Sequence, residues 1–172
     1  VTLSRDGGSQ LYMIDAGGGS VRRLTQSSSI DTEPVFTPDG GTLYFVSDRG
    51  GSPQIYRMPS RGGAAQRVTF EGGYNVSPSI SADGRWMAYI ARRGGSYQLQ
   101  VMELATGQTM GVTSTGDDEH PSFAPNSQLI VYATREGGQR ALMTTTVDGK
   151  IKARLAGRGG DLREPSWSPF QH

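Results

Sequence analysis

The residues of this sequence that could do chemistry are mostly carboxylates, and they gather in four recurring loops. Residues 26–33, 70–77, 114–120 and 156–164 contain eight acidic side chains and two arginines. The acidic residues are Asp31, Glu33, Glu71, Asp117, Asp118, Glu119, Asp161 and Glu164. Such a group can attract a basic partner, or it can hold a hard cation such as Ca²⁺, which takes roughly six to eight oxygen ligands. If the loops bind Ca²⁺, we expect Glu33 and Glu119 to be ligands.

Residues for nucleophilic or cofactor-dependent catalysis are scarce. The chain has no cysteine and two histidines, His120 and His172. The stretch at residues 94–98 reads Gly-Gly-Ser-Tyr-Gln, which lacks the final glycine of a nucleophile elbow. Three glycines at 17–19 lack the spacing of a dinucleotide-binding loop. The sequence therefore predicts a protein that is not an enzyme and needs no organic cofactor.

Net charge gives no indication of nucleic-acid binding, and hydropathy gives none of a membrane-spanning helix. The 17 basic and 16 acidic residues leave a formal net charge of +1, which does not indicate nucleic-acid binding. No apolar run approaches the roughly 18 residues that a membrane-spanning helix needs. We therefore expect neither nucleic-acid binding nor a membrane span.

The loops are spaced by a repeat that covers most of the chain. Pro34, Pro78, Pro121 and Pro165 begin similar segments and are separated by 44, 43 and 44 residues. Each unit has short apolar stretches separated by Gly-Gly, Asp-Gly or Asn-Ser turns. A repeat of this length built from several short strands is typical of β-propeller blades. The fold class is predicted to be all-β, a β-propeller with four-stranded antiparallel blades.

The second stretch of each unit indicates how the blades pack. Residues 43–46, 86–90 and 129–133 are apolar at both alternating positions, whereas a strand with one wet face would alternate. These strands must be covered on both faces, as they are when blades stack. An ordinary two-sheet sandwich would not require the repeat.

The repeat divides residues 1–172 into one partial propeller of about four blades. Three units cover residues 33–69, 76–113 and 119–155. Residues 1–25 lack a first strand and residues 164–170 supply a spare one, so together they could form the remaining blade. The same two segments could instead pair between chains, which would give a homodimer.

Several segments resemble the TolB family of the Tol–Pal system. These are residues 34–56, 63–72, 122–126, 148–155 and 165–170, and together with the repeat they cover nearly the whole chain. The resemblance implies a periplasmic, six-bladed propeller preceded by a small α/β domain, of which this chain would be a C-terminal part. It further implies a protein-binding scaffold that binds the lipoprotein Pal at one end of the central channel. Bacteriocin translocation segments compete for that surface in the family, and some members hold Ca²⁺ in the channel.

The resemblance also implies which residues bind the partner. In the family, the residues just before the first strand of each blade border the binding surface. Thr32 and Glu33 match this motif, and Asp118, Glu119 and His120 resemble it, although the family has threonine in place of His120. Asn75 and Glu164 are the corresponding residues of the other units. We expect a basic rim around this acidic centre, from Arg5, Arg49, Arg92, Arg93, Arg135 and Arg140.

Two alternatives stay open at this stage. The propeller of a prolyl oligopeptidase-like peptidase uses similar repeats and gates a separate hydrolase domain. The chain could also be a fragment whose main property is self-association.

Overall fold

The computed structural model describes residues 1–5, 8–155 and 162–168, and every regular element in that part is a β-strand. The strands are β1 Thr2–Arg5, β2 Gly8–Ile14, β3 Val21–Arg23, β4 Asp31–Phe36, β5 Thr42–Ser47, β6 Gln54–Pro59, β7 Gln66–Arg67, β8 Asn75–Ile80, β9 Trp86–Arg93, β10 Ser96–Glu103, β11 Thr109–Gly111, β12 Glu119–Phe123, β13 Leu129–Glu136, β14 Gln139–Thr146 and β15 Lys152–Arg154. The all-β prediction is confirmed. Within the described ranges, no helix is long and apolar enough to cross a membrane.

The strands form antiparallel sheets in which chain order is also spatial order. Strands β4 to β7, β8 to β11 and β12 to β15 each form a four-stranded sheet, and β1 to β3 form a three-stranded one. The chain divides into two compact units, residues 1–76 and residues 77–172. The first unit holds the β1–β3 and β4–β7 sheets, and the second holds the β12–β15 sheet and most of the β8–β11 sheet. This serial arrangement of four-stranded meanders confirms the predicted blades.

Gly-Gly pairs make the tightest hairpins, as the sequence predicts. Arg93 pairs with Ser96 across Gly94 and Gly95, whose φ angles are 56° and 92°. Positive φ at both central residues matches the right-handed twist of the flanking strands, and glycine adopts it without a steric penalty. The Gly-Gly pair at 137–138 joins β13 to β14 in the same way.

The second strand of each four-stranded sheet is buried on both faces. Residues 43–46, 87–91 and 130–133 are almost fully shielded from solvent, although their side chains point alternately to opposite faces. In the first unit, Leu11 of one sheet packs with Leu43, Phe45, Tyr56 and Met58 of the next. Each such side chain contributes roughly 1.5–3 kcal/mol relative to exposure. Neither sheet of that unit could bury this apolar surface alone, so each sheet needs a neighbouring sheet.

The first strand of each blade begins earlier than predicted. We expected a strand from Pro34, but β4 starts at Asp31, where Asp31 pairs with Ser47 and Thr32 with Val46. The register then shifts by a β-bulge before Val35. Proline cannot donate to a ladder, and a bulge is one of the few places where a strand accommodates it. The predicted loops at 26–33, 70–77 and 114–120 therefore lose their last residues to strands.

The described part of the closing segment, residues 162–168, forms no strand, whereas we expected one within residues 164–170. The Trp167 N–H donates to a side-chain oxygen, Ser122 Oγ, at 3.2 Å, and not to a backbone ladder. Residues 169 and 170 lie outside the described residues. The completion of the first blade by the two ends of the chain stays a prediction, as does pairing between chains.

Candidate functional site

Six of the seven residues predicted to bind a partner lie at or just before the start of the first strand of a blade, whereas Glu164 lies outside any strand. The seven occupy three different repeat positions. Counted back from the lead proline, Asn75 and Asp118 are three residues before it, and Thr32 and Glu119 are two before. The residues immediately before the proline are Glu33, His120 and Glu164, with Ser77 in the remaining blade. The first position is buried, the second half-buried, and Glu33, His120 and Glu164 are exposed. Asn75 and Glu164 were predicted to be equivalent, but Asn75 is three residues before its lead proline and Glu164 is one residue before its own, so they occupy different positions of the repeat.

The residue before each lead proline has a left-handed backbone. The φ angles of Glu33, Ser77, His120 and Glu164 are 52°, 54°, 46° and 49°. For a residue with a Cβ this conformation costs roughly 1–2 kcal/mol, and residues before proline normally favour the extended region. Because the same left-handed conformation occurs at the same repeat position four times, the fold must maintain it. Backbone strain of this kind gathers at binding sites, where the surrounding structure maintains it.

In the first unit, Asp31 anchors the strand that carries Glu33. The Asp31 carboxylate is fully buried and accepts bonds from Arg49 Nη2 at 3.0 and 3.1 Å and from Ser27 Oγ at 2.8 Å. The Arg49 guanidinium also lies 5.3 and 5.0 Å from the centres of the Phe45 and Tyr56 rings. This partly exposed guanidinium thus holds a fully buried carboxylate, and the contacts fix the geometry of the loop. The two charges compensate each other, so they add little to a field that a partner would feel.

Asn75 has the same anchoring position in the next blade, without a charge. Its Nδ2 donates to Gln54 Oε1 at 2.8 Å and to the Glu71 carbonyl at 2.9 Å, while Thr69 Oγ1 donates to the same Gln54 oxygen at 2.7 Å. The Asn75 side chain is fully buried, and its Oδ1 has no hydrogen-bond partner among the residues that the structure describes. A partner cannot touch this side chain while the loop holds this conformation. Asn75 therefore acts on the site by positioning the backbone.

Asp118 is the third anchor, and it is a buried carboxylate surrounded by donors. Its Oδ1 accepts from the hydroxyls of Thr115 and Thr134 at 2.7 and 2.6 Å. Its Oδ2 accepts from the Thr113 hydroxyl and, at 3.2 Å, from the Leu99 N–H. Burial, together with the Asp118 and Glu136 carboxylates, raises the pKa of the Tyr132 hydroxyl to about 12. Asp118 is thus held by dipoles, where Asp31 is held by a guanidinium.

An exposed charged cluster lies beside Asp118 at the start of β12. Glu119 Oε1 forms an ion pair with Arg140 of β14, and Glu119 Oε2 lies 3.9 Å from His120 Nδ1. Arg140 and Glu119 are partly covered, whereas the His120 side chain is 46% exposed. The acidic and basic residues are therefore at the same end of the sheet. In this cluster one predicted rim residue, Arg140, pairs with one residue of the predicted acidic centre, Glu119, and the wider separation into an acidic centre and a basic rim stays a prediction.

The two residues named for Ca²⁺ lie in different compact units of the chain. Glu33 belongs to the first unit and Glu119 to the second, and Glu119 already pairs with Arg140. Across residues 1–5, 8–155 and 162–168, no group of three or more acidic or histidine side chains is arranged to hold a metal ion. Calcium binding stays a prediction.

A serial array of four-stranded antiparallel meanders, with a left-handed residue before each lead proline, defines a β-propeller. Residues 1–171 match the family described as the TolB beta propeller domain, so the chain belongs to that family. The predicted fold class and the resemblance are both confirmed.

Individual relatives agree with the family match. The Tol-Pal system protein TolB of Bordetella pertussis is 53% identical over 163 residues, which are 94% of this chain and 37% of that protein. The protein of the same name from Polaromonas sp. is 67% identical over 67 residues, 39% of this chain and 16% of that protein. The crystal structure of TolB from Acinetobacter baumannii superimposes with a TM-score of 0.90 at 42% identity and covers 98% of this chain and 43% of that one. The chain therefore spans well under half the length of these relatives.

Proposed function

We propose that this chain is part of a Tol–Pal system protein of the periplasm and that it works as a non-catalytic scaffold that binds other proteins. The observation that carries the proposal is the left-handed residue before each lead proline. This repeated strain does not serve to pack the hydrophobic core, because the strained residues are exposed at three of the four positions. It is instead what a contact surface requires, since it fixes side chains in place before a partner arrives.

The proposed partner is the lipoprotein Pal, and bacteriocin translocation segments would compete for the same residues. Glu33, Glu119, His120 and Glu164 would contact the partner, and Thr32 would border the contact. Asn75 and Asp118 would act indirectly, by holding the backbone from below. Most exposed groups at these positions are acidic, so basic groups on the partner would face them and binding would weaken with salt.

The proposal is tested by titrating purified Pal into this chain and measuring heat and complex mass. We expect a complex with the unaltered chain, and an affinity lowered about tenfold or more in Glu33→Arg, because like charges would then face each other. Asp15→Arg is the matched control. Asp15 is an exposed acid of the same unit in the β2–β3 turn, at the other end of its sheet from the residues that precede β4. It should leave the affinity unchanged.

Two results would contradict this reasoning. Absence of any complex with the unaltered, folded chain would refute Pal binding by this part of the protein. Equal losses in Glu33→Arg and Asp15→Arg would show that net charge matters and the strained residue does not. Light scattering on the same samples separates self-association from Pal binding, because a homodimer would have twice the 18.4 kDa mass of the chain without any Pal.

A further inference from the structure

The second unit has a groove at the opposite end of its sheets from Glu119 and His120. Its volume is about 480 Å³, and turns and strand ends of the two neighbouring sheets line it. One wall contains Asp83, Arg85, Trp86 and Met110, and the other contains residues 126–128 and 146–148. The partner surface proposed above uses none of these residues. This groove therefore needs an explanation of its own.

The two walls are tied to each other. The Asp83 N–H donates to Ser127 Oγ at 3.0 Å, so the first turn of one sheet is bonded to the first turn of the next. A Cβ at Gly149, next to the lining residue Asp148, would lie 2.9 Å from the Val112 carbonyl, which shows how closely the last turn approaches the previous sheet. The groove is thus preformed, and a ligand would not have to open it.

Three apolar side chains are among those that line the groove, and its one arginine is already compensated. Trp86 and Val147 are half-buried and Met110 is 37% exposed. The Arg85 guanidinium lies 4.6 Å from the centre of the Trp86 ring and binds Glu103 Oε1 through Nε and Nη2 at 3.1 and 3.0 Å. Arg85 therefore offers little attraction to an anion.

Two carboxylates line the groove, and each has one oxygen that accepts no hydrogen bond from a backbone N–H or a hydroxyl of its turn. Asp83 Oδ1 accepts from Ser81 Oγ and the Arg85 N–H, and Asp148 Oδ1 accepts from Thr146 Oγ1 and the Lys150 N–H. Asp83 Oδ2 has no bond within the described part of the chain, and Asp148 Oδ2 meets the exposed Lys150 Nζ at 3.2 Å.

Both groups are ionised at neutral pH. Burial acts against ionisation of Asp83, but the bonds from Ser81 and the Arg85 N–H outweigh it and lower the pKa of that carboxyl. Bonds from Thr146 and Lys150 lower the pKa of Asp148 to about 2. An exposed pair such as Asp148 with Lys150 is weak and can be exchanged for another cation.

We propose that this groove binds an arginine side chain presented by a polypeptide. Its methylene stem would lie on Trp86, Met110 and Val147, and its planar guanidinium would bind Asp83 Oδ2 and take the place of the exposed Lys150 at Asp148 Oδ2. Guanidinium pairs with carboxylates through several parallel donors and is weakly hydrated. It therefore suits a groove that is lined by both apolar side chains and carboxylates. Charge complementarity excludes an anionic ligand, since Arg85 is already paired. The site is independent of Pal binding.

The test uses the tripeptide acetyl-Gly-Arg-Gly-amide as the probe and its citrulline analogue, which has nearly the same shape without the charge. The indole N–H signal of Trp86 is followed by NMR, with Trp167 as an internal reference. We expect a saturable shift of the Trp86 signal with the arginine peptide. The citrulline peptide should bind about tenfold more weakly, because charged hydrogen-bonded pairs are stronger than neutral ones.

Variants test whether the carboxylates of Asp83 and Asp148 bind the guanidinium. Asp83→Asn with Asp148→Asn should abolish saturation, and the turns should survive because Asn126 already holds such a turn by accepting from the Gln128 N–H at 3.0 Å. Asp39→Asn is the control: Asp39 accepts from Thr37 and Gly41 in the same kind of turn but lines no part of this groove.

Each of three outcomes would overturn the proposal: no saturable shift, equal binding of both peptides, or unchanged binding by the double variant. If that variant fails to fold, salt decides the matter with the unaltered protein. Affinity for the arginine peptide must fall as NaCl rises, while that for the citrulline peptide stays constant.

Discussion

The buried carboxylate of Asp118 gives the sharpest test of how the strained loops are held. Replacing it by alanine removes the acceptor of four donors, the hydroxyls of Thr113, Thr115 and Thr134 and the Leu99 N–H. A hydrogen bond to a charged acceptor is worth about 1.5–3 kcal/mol. The Leu99 N–H keeps Thr113 Oγ1 at 2.9 Å and exposed Thr115 can turn to water, so fewer than four bonds are lost in full. We expect Asp118→Ala to lower the free energy of unfolding by about 3–4 kcal/mol.

The assay is urea denaturation followed by tryptophan fluorescence, in which a lower midpoint with an unchanged slope reports a loss of stability. Asp117→Asn is the matched control, because Asp117 is exposed and has a φ of 64° that asparagine tolerates. It should change the free energy by less than about 0.5 kcal/mol. Asp118→Asn should lie between the two, since asparagine occupies this position in the preceding blade as Asn75. A loss below about 1 kcal/mol in Asp118→Ala would refute the reasoning, because it would mean that the cost of burying the charge offsets its bonds.

Two further predictions concern the turns at the other end of the sheets. Gly149→Ala should destabilise the protein by about 2–3 kcal/mol more than Gly18→Ala. Both glycines have a φ near 70°, but only at Gly149 would the new Cβ meet a carbonyl, at 2.9 Å, and a thermal melt with equal shifts in both variants would contradict this. The Asp148 carboxyl should titrate by NMR with a midpoint near 2, below its ordinary value of 3.8, because Thr146 and Lys150 bond to the ionised form. Since its pKa is lowered in the folded state, its contribution to stability is present above pH 3.8 and is lost as pH falls towards about 2; a midpoint at 3.8 would show that these bonds do not form in solution.

Much of the fold can be predicted from the sequence because it depends on periodic, local signals. Lead prolines at a fixed spacing, Gly-Gly hairpins and strands that are apolar at every position are each visible in one unit and repeated in the next. Strand ends were harder to predict. Pro34 looks like the first residue of a strand because it cannot donate to a ladder, but the ladder continues past it through a bulge.

Two residues that were predicted to contact a partner, Asn75 and Asp118, are buried in the structure. Asn75 and Asp118 are polar residues in loops, which is the usual pattern of exposed groups, and their burial depends on partners far away in sequence. The sequence nevertheless contains a signal of internal hydrogen bonding next to these loops. Thr25, Thr69 and Thr113 recur at intervals of 44 residues and each accepts a backbone N–H of the adjacent strand. Polar residues that recur within apolar stretches indicate internal hydrogen bonds, and they can be used to separate anchors from contact residues.

The left-handed residues could not have been predicted, because Glu33, Ser77 and Glu164 are not residue types that favour positive φ, and each precedes a proline. Their conformation persists only where neighbouring groups determine it. In three blades the anchor lies two residues before the strained residue, and the anchors differ chemically: an ion pair at Asp31, an amide at Asn75 and hydroxyl donors at Asp118. What the repeat preserves is thus the buried anchorage and not a particular charge. Under the proposed function, Asp118→Ala should therefore weaken Pal binding indirectly, because loss of the anchor would let the left-handed backbone at His120 relax.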